Sequence, residues 1–149
     1  AKIGQPDVPV VGFAGDGAFG IAVNELTAIG RGEWPAITQI VFRNYQWGAE
    51  KRNSTLWFDD NFVGTELDTE VSYAGIAQAC GLKGVAARTM DELTDVLNTA
   101  IKDQMENGVT TLIEVMLNQE LGDPFRRDAM KQPVRVAGIS AEDMVEQVV

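Results

Sequence analysis

Apolar runs alternate along the chain with segments in which apolar residues recur every three or four positions. The runs are continuous or nearly so, as is typical of strands that are covered on both faces of a sheet. They predict four strands, at Val8–Ala14, Ala36–Asn44, Lys83–Ala87 and Thr110–Leu117.

Three helices are predicted between these strands. The first has apolar residues at helical spacing and ends at a pair of glycines. Its apolar positions are Phe19, Ala22, Val23 and Leu26, and the glycines are Gly30 and Gly32. The second, Tyr73–Cys80, ends at Gly81. The third begins at Thr89, which forms a capping box with Glu92, and ends at Asn107-Gly108. Its apolar stripe is Leu93, Val96, Leu97, Ala100 and Ile101.

Strands that alternate with helices predict an α/β domain with three layers, in which a parallel sheet has helices on both faces. The 149 residues fit one domain, residues 1–149, with a tail at residues 118–149 that contains a predicted helix from Ala141. The segment from Asn44 to about Glu70 has no clear period, and its length predicts a functional loop.

The net charge of −10 restricts the partners that the chain can have. An acidic chain repels nucleic acid and anionic lipid, so we expect neither nucleic acid nor a membrane as a partner. Cys80 is the only cysteine, which excludes an internal disulfide and fits a reducing cytoplasm. The start of the chain lacks the pattern of a signal peptide, which adds to the expectation of a cytoplasmic protein. The absence of histidine excludes histidine-based triads and metal sites in this chain.

A glycine pattern follows the first predicted strand. Gly15, Gly17 and Gly20 form G-x-G-x-x-G, which in dinucleotide-binding folds lies beside a pyrophosphate, so we expect the glycines to make room for phosphate groups. Asp16 stands between the first two glycines, where its carboxylate would repel a phosphate. A divalent cation removes this conflict, because Mg²⁺ binds carboxylate oxygens together with substrate phosphates.

Asn44 ends the second predicted strand and supplies a further oxygen. Because the carboxyl ends of parallel strands meet at one edge of a sheet, we expect Asp16 and Asn44 to converge there and to bind a metal and a diphosphate. Three alternatives remain open. Asp16 caps the following helix, the glycines alone bind a dinucleotide, or the chain is a non-catalytic assembly module.

The sequence Gly15-Asp16-Gly17, followed after 26 residues by Asn44, resembles the G-D-G…N-N motif of thiamine-diphosphate-dependent enzymes. Arg43 stands where the motif has its first Asn. The resemblance implies the thiamine-diphosphate-binding fold, with Mg²⁺ held by the side chains of Asp16 and Asn44 and the main-chain carbonyl of Gln46. The cofactor-binding residues that it implies are Gly15, Asp16, Gly17, Ala18, Asn44, Gln46, Trp47 and Gly48.

Two segments, Val41–Leu67 and Leu117–Ile139, are similar to one branch of that family, whose members expel sulfite from sulfoacetaldehyde and transfer the resulting acetyl group to phosphate. The resemblance implies that sulfoacetaldehyde and phosphate are the substrates, and that acetyl phosphate and sulfite are the products. An acetolactate-synthase-like enzyme with another acyl acceptor is the alternative within the same fold.

Enzymes of this family are several hundred residues long, so the resemblance implies that the chain is the C-terminal, diphosphate-binding domain of a larger enzyme. The family's catalytic glutamate lies on a separate domain, which leaves no catalytic residue to assign here and implies that the fragment alone is inactive. The cofactor lies between domains of different subunits, which implies a homo-oligomer, either a dimer or a tetramer.

Four basic residues are candidates for binding anionic substrates. Lys51 and Arg52 follow the predicted metal loop, and Arg126 and Arg127 lie in the tail. Arginine suits sulfonate and phosphate because its guanidinium binds planar or tetrahedral oxyanions with two hydrogen bonds. The alternatives are a solvated run of charges at the first pair and pairing with acids of a neighbouring subunit at the second.

Overall fold

A parallel sheet of four strands in the order β1-β2-β4-β3 organises residues 1–120, the part of the chain that the computed structural model describes. The strands are β1 (Val11–Gly15), β2 (Thr38–Arg43), β3 (Lys83–Ala87) and β4 (Thr111–Met116). The helices are α1 (Asp16–Ile21), α2 (Leu26–Ile29), α3 (Gly48–Trp57), α4 (Tyr73–Ala79) and α5 (Met90–Lys102). All three strand pairings are parallel, as the alternation of strands and helices predicts.

Helices cover both faces of the sheet. Successive residues of a strand point to opposite faces, so Val41 and its neighbour Ile40 on β2 belong to two different cores. One core contains Leu26, Val41, Tyr73, Ala77 and Leu112, which brings α2 and α4 onto one face. The other contains Ile40, Ala87, Ala100, Ile113 and Val115, which brings α5 onto the opposite face. The predicted three-layer α/β fold is confirmed.

The first strand is shorter and more exposed than the sequence predicts. A buried strand was expected at Val8–Ala14, but β1 begins at Val11 and pairs only with β2 among the described strands. Phe13 on β1 is 66% exposed, although it stacks on Phe42 of β2. The prediction of a buried strand was therefore wrong, because an apolar run does not reveal whether a strand lies inside a sheet or at its edge.

The helix predicted after β1 is divided into α1, a short 3-10 turn at Val23–Glu25, and α2. Ala22 has non-helical dihedral angles, and its N–H bonds to the carbonyl of Phe19, three residues earlier. The predicted end at Gly30 is confirmed. A Cβ atom there would collide with the carbonyl oxygen of Cys80, so glycine permits the close contact between the two chain segments.

The predicted long loop from Asn44 to about Glu70 contains a helix, α3. None of the residues of α3 is buried. Because a helix without a buried face does not need an apolar stripe, the periodicity of the sequence could not reveal it. The predicted loop is therefore wrong over Gly48–Trp57.

The ends of α4 and α5 follow the predicted signals. The Thr89 hydroxyl accepts a hydrogen bond from the N–H of Glu92 at 3.1 Å, as the predicted capping box requires. The Glu92 carboxylate accepts its bond from the N–H of Arg88 at 2.7 Å, one residue before the N-cap Thr89, so the second half of the box differs from the prediction. A single π turn, Asp103–Asn107, extends α5 before Gly108 reverses the chain with a φ of 65°. Among the residues described, none of the helices has the length and apolar character that crossing a bilayer requires.

A buried ion pair joins the centre of the sheet to α4. The Nε of Arg43 on β2 lies 3.3 Å from the Oε1 of Glu114 on β4, and both side chains are at least 97% buried. The other carboxylate oxygen of Glu114 accepts hydrogen bonds from the Ser72 hydroxyl at 2.9 Å and the Ala74 N–H at 3.0 Å. The carboxylate therefore fixes the beginning of α4 on the sheet.

We expect Glu114→Gln to lower the free energy of unfolding by about 3–5 kcal/mol, because removing one charge leaves Arg43 buried without its counter-ion. Urea denaturation measures this change. The control is Glu106→Gln, which breaks an exposed pair with Lys102 at 4.0 Å and should cost less than about 0.5 kcal/mol. Equal losses in the two variants would contradict a structural role for the buried pair.

Candidate functional site

The candidate site lies where β1 and β2 end. Gly15, the last residue of β1, pairs with Phe42 of β2, so the two strands finish side by side. Asp16 follows β1 directly, and Asn44 follows β2 directly. The two residues that the sequence brings together by its strand pattern are thus neighbours at the carboxyl edge of the sheet.

Asp16 is 2% exposed, and main-chain groups hold both of its carboxylate oxygens. One oxygen, Oδ2, accepts a hydrogen bond from the N–H of Tyr45 at 2.7 Å, and the other, Oδ1, accepts one from the N–H of Gly17 at 2.9 Å. Asp16 is the first residue of α1, whereas the N-cap position belongs to Gly15. The carboxylate therefore connects the ends of two strands rather than capping α1 from the N-cap position.

The Asn44 amide faces the Asp16 carboxylate. The amide atom that points inward lies 3.2 Å from Asp16 Oδ1 and 3.1 Å from the main-chain oxygen of Gln46. With the amide nitrogen inward, both contacts are hydrogen bonds. With the oxygen inward, three oxygens from a carboxylate, an amide and a carbonyl converge. The two separations from the Asn44 atom, 3.1 and 3.2 Å, match the edge of about 3 Å that an octahedral Mg²⁺ site with metal–oxygen bonds near 2.1 Å requires.

These donors suit a hard cation. Residues 1–120 contain no cluster of three or more His, Cys, Asp or Glu side chains that could bind a metal. An amide and a main-chain carbonyl beside one carboxylate form a different set of donors, which Mg²⁺ accepts because it takes few protein ligands and completes its coordination with substrate phosphates and water.

The backbone around Tyr45 is turned sharply. Tyr45 has a φ of 60°, an uncommon conformation for a residue with a side chain. Its carbonyl accepts a hydrogen bond from the N–H of Leu67 at 2.9 Å, and the N–H of Trp47 donates to the carbonyl of Thr65 at 2.8 Å. The segment that follows α3 therefore holds the turn and fixes the direction of the Gln46 carbonyl. Gln46 is 2% exposed.

The three glycines do not share one role. A Cβ atom on Gly17 would lie 2.9 Å from the ring of Trp47, and one on Gly20 would lie 2.7 Å from the hydroxyl of Tyr73. Of the three, only Gly15 would have no atom of residues 1–120 within 4 Å of an added Cβ. Two of the three glycines thus make room for aromatic side chains of the protein. The expectation that the glycines also make room for phosphate stays a prediction.

The remaining predicted site residues lie on α1, on α3 or beyond the described part. Ala18 is exposed in the first turn of α1, and Gly48 begins α3 directly after Trp47. Arg126 and Arg127 lie outside the described residues, as do the predicted helix from Ala141 and all of the tail after residue 120.

Lys51 and Arg52 on α3 differ in their surroundings. Lys51 forms an ion pair with Glu66 and lies 5.2 Å from the ring centroid of Phe62. Its hydrogen bond to the Glu66 carboxylate lowers the pKa of Glu66 below the ordinary value. The Nη1 of Arg52 is buried and has no hydrogen-bond partner within residues 1–120. Of this pair, Arg52 is the one with a buried donor that has no partner among residues 1–120.

Sequence reasoning missed the supporting residues Arg43, Tyr73 and Glu114. The Tyr73 hydroxyl donates a hydrogen bond to the main-chain oxygen of Asp16 at 3.1 Å, and burial raises the pKa of Tyr73, so the hydroxyl keeps its proton. A signal was present in the sequence, because Arg43 and Glu114 are the charged residues of two strands that are otherwise uncharged.

Comparison with known proteins gives the family. Residues 1–115 match the family model of the thiamine pyrophosphate enzyme, C-terminal TPP binding domain. The chain is 82% identical over 147 residues to a sulfoacetaldehyde acetyltransferase of Roseovarius nubinhibens, covering 99% of this chain and 24% of that protein. It is 74% identical to that of Rhodobacter capsulatus, covering 99% and 25%. The chain thus spans about a quarter of the length of these curated relatives.

A solved structure shares the fold. The benzoylformate decarboxylase of Polynucleobacter necessarius superposes with a TM-score of 0.64 at 25% identity, covering 81% of this chain and 22% of that one. The matched family is one of thiamine pyrophosphate enzymes, which does not favour the alternative of a dinucleotide-binding module. The chain belongs to the family of C-terminal TPP-binding domains of thiamine pyrophosphate enzymes.

Proposed function

We propose that this chain is the diphosphate- and Mg²⁺-binding domain of a longer enzyme that converts sulfoacetaldehyde and phosphate to acetyl phosphate and sulfite. The observation that carries the proposal is the convergence of the Asp16 carboxylate, the Asn44 amide and the Gln46 carbonyl at the carboxyl edge of the sheet. The identity of 82% to a sulfoacetaldehyde acetyltransferase supports the choice of substrates.

In this proposal the side chains of Asp16 and Asn44 and the carbonyl of Gln46 bind Mg²⁺, which in turn binds the diphosphate of the cofactor. The buried Asp16 carboxylate would repel a diphosphate at short range, and a bound cation reverses the sign of that interaction. The open space beside Gly15 lets the cofactor approach the backbone. Thiamine diphosphate, when bound, supplies the carbon nucleophile that attacks the aldehyde.

Binding of anionic substrates requires positive charge. On α3, Lys51 and Arg52 are not equally available to supply it. Because Lys51 is already paired with Glu66, we assign the stronger role in binding sulfonate or phosphate to Arg52. Arg126 and Arg127 remain proposed contacts of the acceptor phosphate.

The complete enzyme extends the proposal beyond this chain. In the complete enzyme the catalytic glutamate lies on another domain, and the enzyme is a cytoplasmic homo-oligomer, either a dimer or a tetramer. The isolated chain should therefore have no turnover. The sulfoacetaldehyde and phosphate sites would then be formed jointly by this domain and the others.

We expect the full-length enzyme that contains this chain to release sulfite from sulfoacetaldehyde only when phosphate, Mg²⁺ and thiamine diphosphate are all present. Sulfite is measured by a thiol-exchange dye, and acetyl phosphate by its hydroxamate. Omitting phosphate alone is the control for hydrolysis. Consumption of pyruvate without release of sulfite would instead favour an acetolactate-synthase-like enzyme.

The metal ligands are tested by Asp16→Asn and Asn44→Ala in the same enzyme. Each variant should weaken Mg²⁺-dependent binding of thiamine diphosphate by at least about tenfold, because each loses an oxygen ligand, while both variants stay folded at the assay temperature. Isothermal calorimetry with and without Mg²⁺ measures the binding. Asp91→Asn removes an exposed acid at the beginning of α5 and is the matched control. If Asp16→Asn bound the cofactor as the control does, Asp16 would not be a metal ligand.

A further inference from the structure

Arg43 occupies the centre of a cluster beside the candidate cation site. Its guanidinium carbon lies 4.6 Å from the ring centroid of Tyr45 and 5.1 Å from that of Tyr73. Both distances are within the range of about 6 Å over which a cation interacts favourably with the face of an aromatic ring. Because Arg43 is only 2% exposed, water weakens these interactions little.

Both tyrosines donate hydrogen bonds to Asp16. The N–H of Tyr45 donates to the carboxylate of Asp16 at 2.7 Å, and the hydroxyl of Tyr73 donates to its main-chain oxygen at 3.1 Å. Asp16 is therefore held at two points, on its side chain and on its backbone. Each of these points belongs to a residue whose ring interacts with Arg43.

The turn at Tyr45 requires such support. A residue with a side chain rarely adopts a φ near 60°, so the surrounding structure must stabilise this conformation. In this conformation the Tyr45 ring lies 4.6 Å from the guanidinium carbon of Arg43, and this contact stabilises the turn. The same turn directs the N–H of Tyr45 to Asp16 and sets the position of the next residue, Gln46, whose carbonyl lies 3.1 Å from the Asn44 amide.

Arg43 is itself fixed by oxygen atoms. Glu114 lies 3.3 Å from its Nε, and its Nη2 donates a hydrogen bond to the carbonyl of Asp68 at 2.9 Å. A guanidinium is planar and presents donors along its edge and apolar faces above and below, so it can satisfy oxygens and rings at the same time. The ammonium of a lysine lacks these faces and cannot hold both tyrosines.

We propose that Arg43 is a positioning residue of the cation site, which acts through Tyr45 and Tyr73 to hold the carboxylate and the backbone of Asp16 in the geometry that a cation needs. This inference rests on the proposed function, because the cation belongs to it. Arg43 does not contact the cation and is not a ligand. Its effect should therefore appear as a changed requirement for Mg²⁺.

A role in stability alone predicts a different result. If Arg43 only compensates Glu114 in the core, its replacement should lower the melting temperature and leave the Mg²⁺ concentration at half-saturation unchanged in the folded fraction. A positioning role predicts that more Mg²⁺ is needed, and that excess Mg²⁺ restores the affinity for thiamine diphosphate. Half-saturation by Mg²⁺ therefore separates the two roles.

The experiment uses the full-length enzyme and titrates Mg²⁺ at constant thiamine diphosphate, with tryptophan fluorescence as the readout of cofactor binding. Arg43→Lys keeps the charge and should raise the Mg²⁺ concentration at half-saturation by about tenfold. Tyr73→Phe removes one hydroxyl, keeps the ring, and should raise it by about threefold. The matched control, Arg31→Lys, changes an exposed arginine and should leave it unchanged.

The outcomes are distinguishable. A wild-type enzyme whose binding of thiamine diphosphate does not depend on Mg²⁺ overturns the proposed function and this inference together. A wild-type enzyme that depends on Mg²⁺, with variants that titrate as the Arg31→Lys control does, overturns this inference alone. If Arg43→Lys fails to fold, Tyr45→Leu decides in the same way, because it removes a ring that Arg43 contacts and keeps the buried ion pair.

Discussion

The buried pair of Arg43 and Glu114 is the interaction on which the arrangement of this domain depends. Two charges inside a sheet lose their hydration, and only a close counter-ion and further hydrogen bonds compensate for that loss. Here the carboxylate also accepts hydrogen bonds from Ser72 and Ala74 at the beginning of α4, and the guanidinium donates to the carbonyl of Asp68. The pair thus connects two central strands, a helix and the segment before it, all of which border the candidate site.

The glycine pattern shows that one sequence motif can admit different groups close to the backbone. In a dinucleotide-binding fold the glycines of G-x-G-x-x-G admit the ligand. In this protein Gly17 admits the ring of Trp47 and Gly20 admits the hydroxyl of Tyr73, so the aromatic side chains approach the backbone of α1. Tyr73 can reach the carbonyl of Asp16 because the residue at position 20 has no side chain. Of the three glycines, only Gly15 has open space among the described residues at the place of a Cβ atom.

The sequence was sufficient to predict the fold class and the meeting of Asp16 with Asn44, because both follow from strands that run parallel and end at one edge. The capped beginning of α5 was equally predictable, since its signals are local. The edge position of β1 among the strands of residues 1–120 was not, because it depends on which strands pair. The helix α3 was not predicted, because none of its residues is buried and it therefore has no apolar stripe.

The cluster around Arg43 was the least predictable part of the site, because most of its members are far apart in the sequence. Arg43 interacts with residues 2, 25, 30 and 71 positions away in the sequence, so only the folded sheet brings its partners together. In the motif of the family an Asn stands at this position, and a single replacement by arginine would bury an uncompensated charge. The arginine is compatible with the site because Glu114 compensates its charge and Tyr45 and Tyr73 cover its faces. Position 43 therefore has to be interpreted together with its partners, and the Asp16 geometry depends on all of them.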